Sequence, residues 1–109
     1  MYQPPYPRRF SYAQNVKGLE IMNLKDTIDL MTSEDYKERF QAEYQQLVIR
    51  YKKLKAMLDK WDNGELNFLP ACPRGVYNMQ IKAMTDYIAV LEARAAIEQV
   101  PVWDVTESR

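Results

Sequence analysis

The residue order predicts an all-α protein: a long antiparallel helical hairpin with a short N-terminal helix and extended terminal arms, assembled as a homo-oligomer. An apolar track of Tyr36, Phe40, Tyr44, Leu47, Tyr51, Leu54, Leu58 and Trp61 advances in steps of four and three, which describes one amphipathic helix with a wide apolar face. Tyr77, Gln80, Met84, Tyr87, Leu91 and Ala95 repeat the spacing, so the nearest partner for the first helix is the chain's own second helix. A hairpin offers one inward face per helix, a thin core within 109 residues, and this calls for other copies or the N-terminal segment to complete it.

Residues 1–18 are rich in Pro, Tyr, Gln, Ser and Asn and read as an extended arm. Tyr2, Tyr6, Phe10 and Tyr12 would either anchor that arm on a neighbouring surface or sit on a mobile tail. From 19 to 31, Leu19, Met22, Leu24, Ile28 and Met31 permit a short amphipathic helix, weakened by Asn23 and the β-branched Thr27.

The hairpin domain is expected over 32–98. Thr32 reads as the N-cap of its first helix, with Asp35 three residues on to close a capping box and Met31 and Tyr36 placed for a hydrophobic staple. That helix should run to about Trp61, roughly 45 Å at the usual rise per residue. Asp62-Asn63-Gly64 ends it, because Gly64 tolerates the left-handed conformation and the two preceding side chains favour turns. In the connector, Leu66, Phe68 and Leu69 should tuck beneath the tip. Pro73 suits the first turn of a second helix running to Glu98, and Val100-Pro101 marks its exit. In the tail, 99–109, Val102, Trp103 and Val105 alternate with polar residues as a short strand or extended segment would.

Fifteen basic and fifteen acidic side chains give no global field to attract a nucleic-acid polymer or an anionic membrane. One cysteine, Cys72, and no histidine leave neither an intramolecular disulfide nor a Cys/His zinc cluster, and Cys72 reads as a small buried residue. The N-terminus lacks the apolar stretch of a secretion signal, and no run approaches the roughly 20 apolar residues of a membrane span. These readings together suggest a reduced cytoplasmic protein without cofactor or metal. Glycine-rich phosphate loops, a serine elbow and a histidine-containing nucleophilic array are absent, which argues against an enzyme.

Charge is sorted locally. Glu34, Asp35, Glu38 and Glu43 dominate the start of the first helix, and Arg50, Lys52, Lys53, Lys55 and Lys60 its end. The arrangement complements the helix dipole, and the lysines would equally well coat a solvated surface. In an antiparallel hairpin, however, the basic end lies beside the N-terminus of the second helix and Arg74, so a compact anion such as phosphate is the ligand class the fold would suit. The candidate ligand-binding residues are Arg50, Lys53 and Arg74 for phosphate, and Tyr51 and Tyr77 for stacking on a base. The tyrosines at 36, 44 and 51 suit an interface between packed hairpins, or the edge of an intramolecular core, better than a uniform zipper.

The stretch from Asp35 to Leu47, Asp-Tyr-Lys-Glu-Arg-Phe-Gln-Ala-Glu-Tyr-Gln-Gln-Leu, followed by Arg50 to Leu58, resembles the first half of a family of small proteins named after a member in crAss-like bacteriophage. The run from Gln80 to Arg94 resembles its second half, so the likeness spans about 35–98. It implies a phage or prophage protein with an α-hairpin core, acting in the cytoplasm of the infected or lysogenic bacterial host. The architecture is similar to phage sponge proteins, homo-oligomers that sequester cyclic nucleotide or cyclic ADP-ribose immune signals. A non-enzymatic anti-defence protein holding such a nucleotide is therefore the first expectation. The alternative is a phage structural adaptor, or an inhibitor that docks to a host protein through its terminal arms and helical surface.

Overall fold

The computed structural model describes residues 23–102. Its order is a 3-10 turn at Leu24–Thr27 running into one α-helical turn, α1 (Ile28–Met31), then α2 (Tyr36–Asp62) and α3 (Arg74–Glu98). Among the described residues there is no strand and no disulfide, and no helix is long and apolar enough to cross a membrane. The expected arm, and the tail from Trp103 onward, lie outside the described residues. Leu19 and Met22 do too, so the short helix expected over 19–31 is represented by its second half. Val102 carries no strand pairing and packs half-buried against the core.

α2 begins three residues later than the capping expectation. Thr32 instead closes α1: its Oγ1 donates to the Ile28 carbonyl at 2.8 Å. Asp35 is the N-cap of α2, its carboxylate accepting from the Lys37 N–H at 2.9 Å, while Ser33 Oγ accepts from the Asp35 N–H. A threonine hydroxyl that can back-bond to a preceding carbonyl ends a turn, and an ionised Asp is the stronger acceptor at a helix start. The staple from Met31 to Tyr36 drops out with this shift of frame.

The far end of α2 closes as expected. Gly64 lies at φ 72°, and the Glu65 and Gly64 N–H groups donate to the Lys60 and Trp61 carbonyls at 2.8 and 3.0 Å, the paired bonds of a Schellman motif. Pro73 is the N-cap of α3 rather than its first residue. α3 stops at Gln99, a non-glycine residue at φ 58°, with the Val100 N–H reaching the Ala95 carbonyl at 2.9 Å. Leu66 is half-buried, whereas Phe68 and Leu69 are exposed, contrary to the tucked connector expected.

The helices pack as an antiparallel hairpin whose rungs fix the register. At the base the Tyr36 hydroxyl donates to Glu98 and the Arg94 guanidinium lies over the Phe40 ring, 4.8 Å from its centroid. Further up, the Tyr44 hydroxyl donates to Glu92 at 2.8 Å and the Tyr87 hydroxyl to Glu43. The core sits between these rungs: Phe40, Tyr44, Leu47 and Val48 of α2 against Leu91, Ala95 and Val100, flanked by Met84 and Ile88. The first apolar track is thus the inward face of α2, although Tyr36 itself lies largely open. The second track needs correction. Gln80 and Tyr87 are exposed, and the side turned to α2 carries Tyr77, Ile81, Met84, Ile88, Leu91 and Ala95, each half-buried or buried.

A second face of α2 is covered near the base by the segment Leu24–Met31. Gln46 Nε2 donates to Thr27 Oγ1 at 2.8 Å and contacts Met31 Sδ at 3.3 Å, and Arg39 reaches the Ser33 carbonyl at 2.7 Å. Thr27 is completely buried there.

Candidate anion-binding surface

The five candidate binding residues occupy three places. Arg74 and Tyr77 stand at the hairpin tip with Trp61. The Arg74 guanidinium forks onto the Asp62 carboxylate, with Nη2 to Oδ2 at 3.2 Å, donates through Nε to Asn78 at 3.1 Å, and lies over the Trp61 ring at 5.6 Å. This hydrogen-bonded pairing holds the Asp62 carboxyl below the usual carboxylate range and raises Arg74 further above its own. Tyr77 meets Trp61 edge-on, ring centroids 6.1 Å apart at 80°. Arg74 is thereby a clasp between the end of α2 and the start of α3, a bidentate geometry that lysine could not reproduce.

Tyr51 is half-buried in the seam between the helices, on the side of α2 that faces α3. Arg50 and Lys53 are exposed and lie elsewhere. Asp62, which holds Arg74, is twelve residues beyond Arg50 on the same helix, about 18 Å away along the axis. The structure therefore joins Arg50 with Lys53, and Arg74 with Tyr77, but does not bring the two pairs together.

Arg50 and Lys53 do belong to a longer row. Arg50, Lys53, Met57 and Lys60 follow three-four-three spacing, hence one stripe of α2, about 120° around from the face turned to α3. Gln46 lies at the head of the same stripe. Lower down this face is covered by Thr27 and Met31; above Gln46 it turns basic, with Arg50, Lys53 and Lys60 exposed and Met57 half-buried. Among the described residues no carboxylate pairs with Arg50, Lys53 or Lys60. Lys55, by contrast, is held by Asp59 at 3.0 Å, which raises its pKa. In the sequence Lys60 and Trp61 are distinguished only as part of a basic stretch and an apolar track. Three-four spacing of cations was the available signal for the row.

At the tip, Pro73 makes no side-chain cap, the first turn of α3 holds no acidic residue, and the space around Gly75 Cα is open. No cluster of Cys, Asp and Glu suited to a metal ion occurs among the described residues.

The Sequestin family model matches residues 34–97, a span that takes in α2, the connector and α3 almost to its last residue. The chain belongs to the Sequestin family. The matched span agrees with the resemblance seen in residues 35–98 and leaves out the 3-10 turn and α1, so the part of this chain that matches is the hairpin, on which its basic row and tip clasp lie. The family's name points to sequestration of a ligand. No curated protein and no solved structure matches this chain.

Proposed function

We propose that this protein is a non-enzymatic phage anti-defence protein that binds and sequesters a small phosphorylated nucleotide signal of the cyclic oligonucleotide or cyclic ADP-ribose type. The observation that carries the reading is the row Arg50, Lys53 and Lys60, exposed and without a carboxylate partner among the described residues, on a helix of the Sequestin hairpin. Cations three residues apart on one helix face are about 5–6 Å apart at Cβ, close enough to share one phosphate or bridge a pyrophosphate. Arg50 and Lys53 then hold phosphate, whereas Tyr77 and Trp61 stand at the separate tip, too far from that pair to stack on a base of the same small ligand. A convex helix face does not by itself enclose a ligand, so a second wall belongs to this reading, and homo-oligomerisation supplies one. Binding without chemistry fits a site of cations, and the setting would be the cytoplasm of the infected or lysogenic bacterium.

The test uses purified full-length protein with a cyclic dinucleotide and cyclic ADP-ribose as probes, by calorimetry and by recovery of ligand after heating. At least one probe should bind and return chemically intact, and Arg50→Ala with Lys53→Ala should weaken it tenfold or more while thermal stability stays unchanged. Failure of both probes to bind, or binding that ignores the double variant, refutes the proposal. An adaptor or host-protein inhibitor is the competing reading. It relies chiefly on terminal segments outside the described residues, and a stoichiometric host protein recovered from infected bacteria in place of nucleotide would favour it.

A further inference from the structure

α3 has two apolar sides. One is the core-facing series from Tyr77 to Ala95; the other comprises Val76, Met79, Ala83, Val90, Ala93 and Ile97, with Asp86 the one polar member of the heptad series. Both follow three-four spacing, and on a regular helix they lie about 150° apart. The second side faces no described element: Val76 is 49%, Met79 71%, Val90 55% and Ile97 80% exposed. A helix apolar on both sides belongs inside an assembly rather than at its edge. The stripe runs about 32 Å, three heptads, which is long enough for a coiled-coil contact.

We propose that this outer stripe of α3 is the surface on which a second copy of the chain docks, with the two α3 helices antiparallel. The charges on the stripe decide both occupant and orientation. Asp86 stands near the midpoint, and a parallel pair would place its carboxylate against Asp86 of the partner subunit. In the antiparallel pair, with Ala83 opposite Asp86 of the partner subunit, Lys82 of each copy stands beside that same carboxylate. The Lys82–Asp86 ion pair, 3.0 Å within one helix and highly exposed, becomes a four-membered network of alternating sign. The same register sets Val76 opposite Ala93 of the partner subunit and Met79 opposite Val90 of the partner subunit, so the stripe fits its own two-fold image. Ile97 then overhangs the partner's connector, where the partner's Leu69 is exposed. The inference stands independently of what the basic row binds.

Sedimentation equilibrium of the full chain should give a dimer, or an even-numbered assembly built from it. Met79→Glu with Val90→Glu should weaken association at least tenfold while helicity by circular dichroism is retained, since both side chains lie outside the hairpin core. Orientation is read by cross-linking in a Cys72→Ala background: M79C/V90C should oxidise to disulfides that join position 79 of one copy to position 90 of the other. Within one helix these positions are about 16 Å apart, so that bond forms only between copies. A chain that stays monomeric at every concentration, association undiminished by the glutamate pair, or disulfides joining 79 to 79 and 90 to 90 would overturn the proposal.

Discussion

Replacing Leu91 with alanine tests the facing of α3 directly. Leu91 is 1% exposed and packs with Phe40, Tyr44, Leu47 and Ala95. The substitution removes three carbons, about 2.4 kcal/mol of transfer free energy at ~0.8 kcal/mol per group, and adds a cavity term. The half-buried Met84 and Ile88 beside the site can relax into part of that space, which places the total at about 3 kcal/mol, toward the lower end of the leucine-to-alanine range. With a urea slope of about 1.5 kcal/mol/M, the unfolding midpoint should fall by roughly 2 M. Val90→Ala, one position earlier on the exposed side, should cost less than about 0.5 kcal/mol when measured at low protein concentration, where association adds no stability. A Leu91→Ala loss below about 1 kcal/mol, or equal losses at both positions, would show that the helix is turned differently and refute the core assignment.

Gln99→Gly should stabilise the hairpin by about 0.5–1 kcal/mol, because a left-handed residue at the end of α3 then has no Cβ to strain it; chemical denaturation showing a loss would contradict the cap geometry. On the acid side, Arg74 depresses the Asp62 carboxyl, and hydrogen bonds from Arg94 and Tyr36 depress that of Glu98. These groups stabilise the fold above the ordinary carboxylate range near pH 4, and the contribution is lost as pH falls through their lower native values, so Tm measured from pH 6 to 3 should fall less steeply in Asp62→Asn. On the alkaline side, bonding to Glu98 raises the Tyr36 phenol and bonding to Glu43 raises Tyr87. Their contribution is complete below the ordinary tyrosine value near pH 10 and is lost as pH rises through the raised ones; ultraviolet titration should show two phenols ionising late, and normal behaviour of both would remove those bonds.

The inward face of α2 was legible because Phe40, Tyr44, Leu47 and Leu58 keep one stripe, although Ala42 and Ile49 are buried on the opposite side, and the Gly64 stop was legible because few residues accept that conformation. α3 was less so. With apolar residues on two sides, more than one heptad phase fits, and by residue type alone the aromatic Tyr87 competes with Ile81 and Ile88 for the inward place. Tyr87 in fact lies at the rim, where its hydroxyl meets Glu43. The start of α2 was misplaced because Thr32 and Asp35 both carry capping oxygens, and the choice depends on the turn of α1 before them. The Arg74 clasp joins residues twelve positions apart across a prolyl connector, a pairing that local spacing does not encode.

Overall neutrality of the chain says little about its capacity to hold an anion, because pairing distributes the charges unevenly. Asp59 is engaged by Lys55, Asp62 by Arg74, Asp86 by Lys82 and Glu98 by Arg94, so these carboxylates cancel cations next to them and, among the described residues, leave Arg50, Lys53 and Lys60 unpaired. Around the end of α2 this concentrates positive potential on the stripe that holds Arg50, Lys53 and Lys60 instead of spreading it over the basic stretch. Fields from separate exposed charges fade beyond about 8 Å at physiological ionic strength, so a ligand at this row responds to its nearest cations, not to the acidic start of the same helix some 20 Å away. The row sits on α2 and the outer apolar stripe on α3, so pairing of copies through α3 leaves the cations unburied by that contact. The wall that the anion row needs therefore has to come from a further contact between copies over α2, distinct from the pairing through α3.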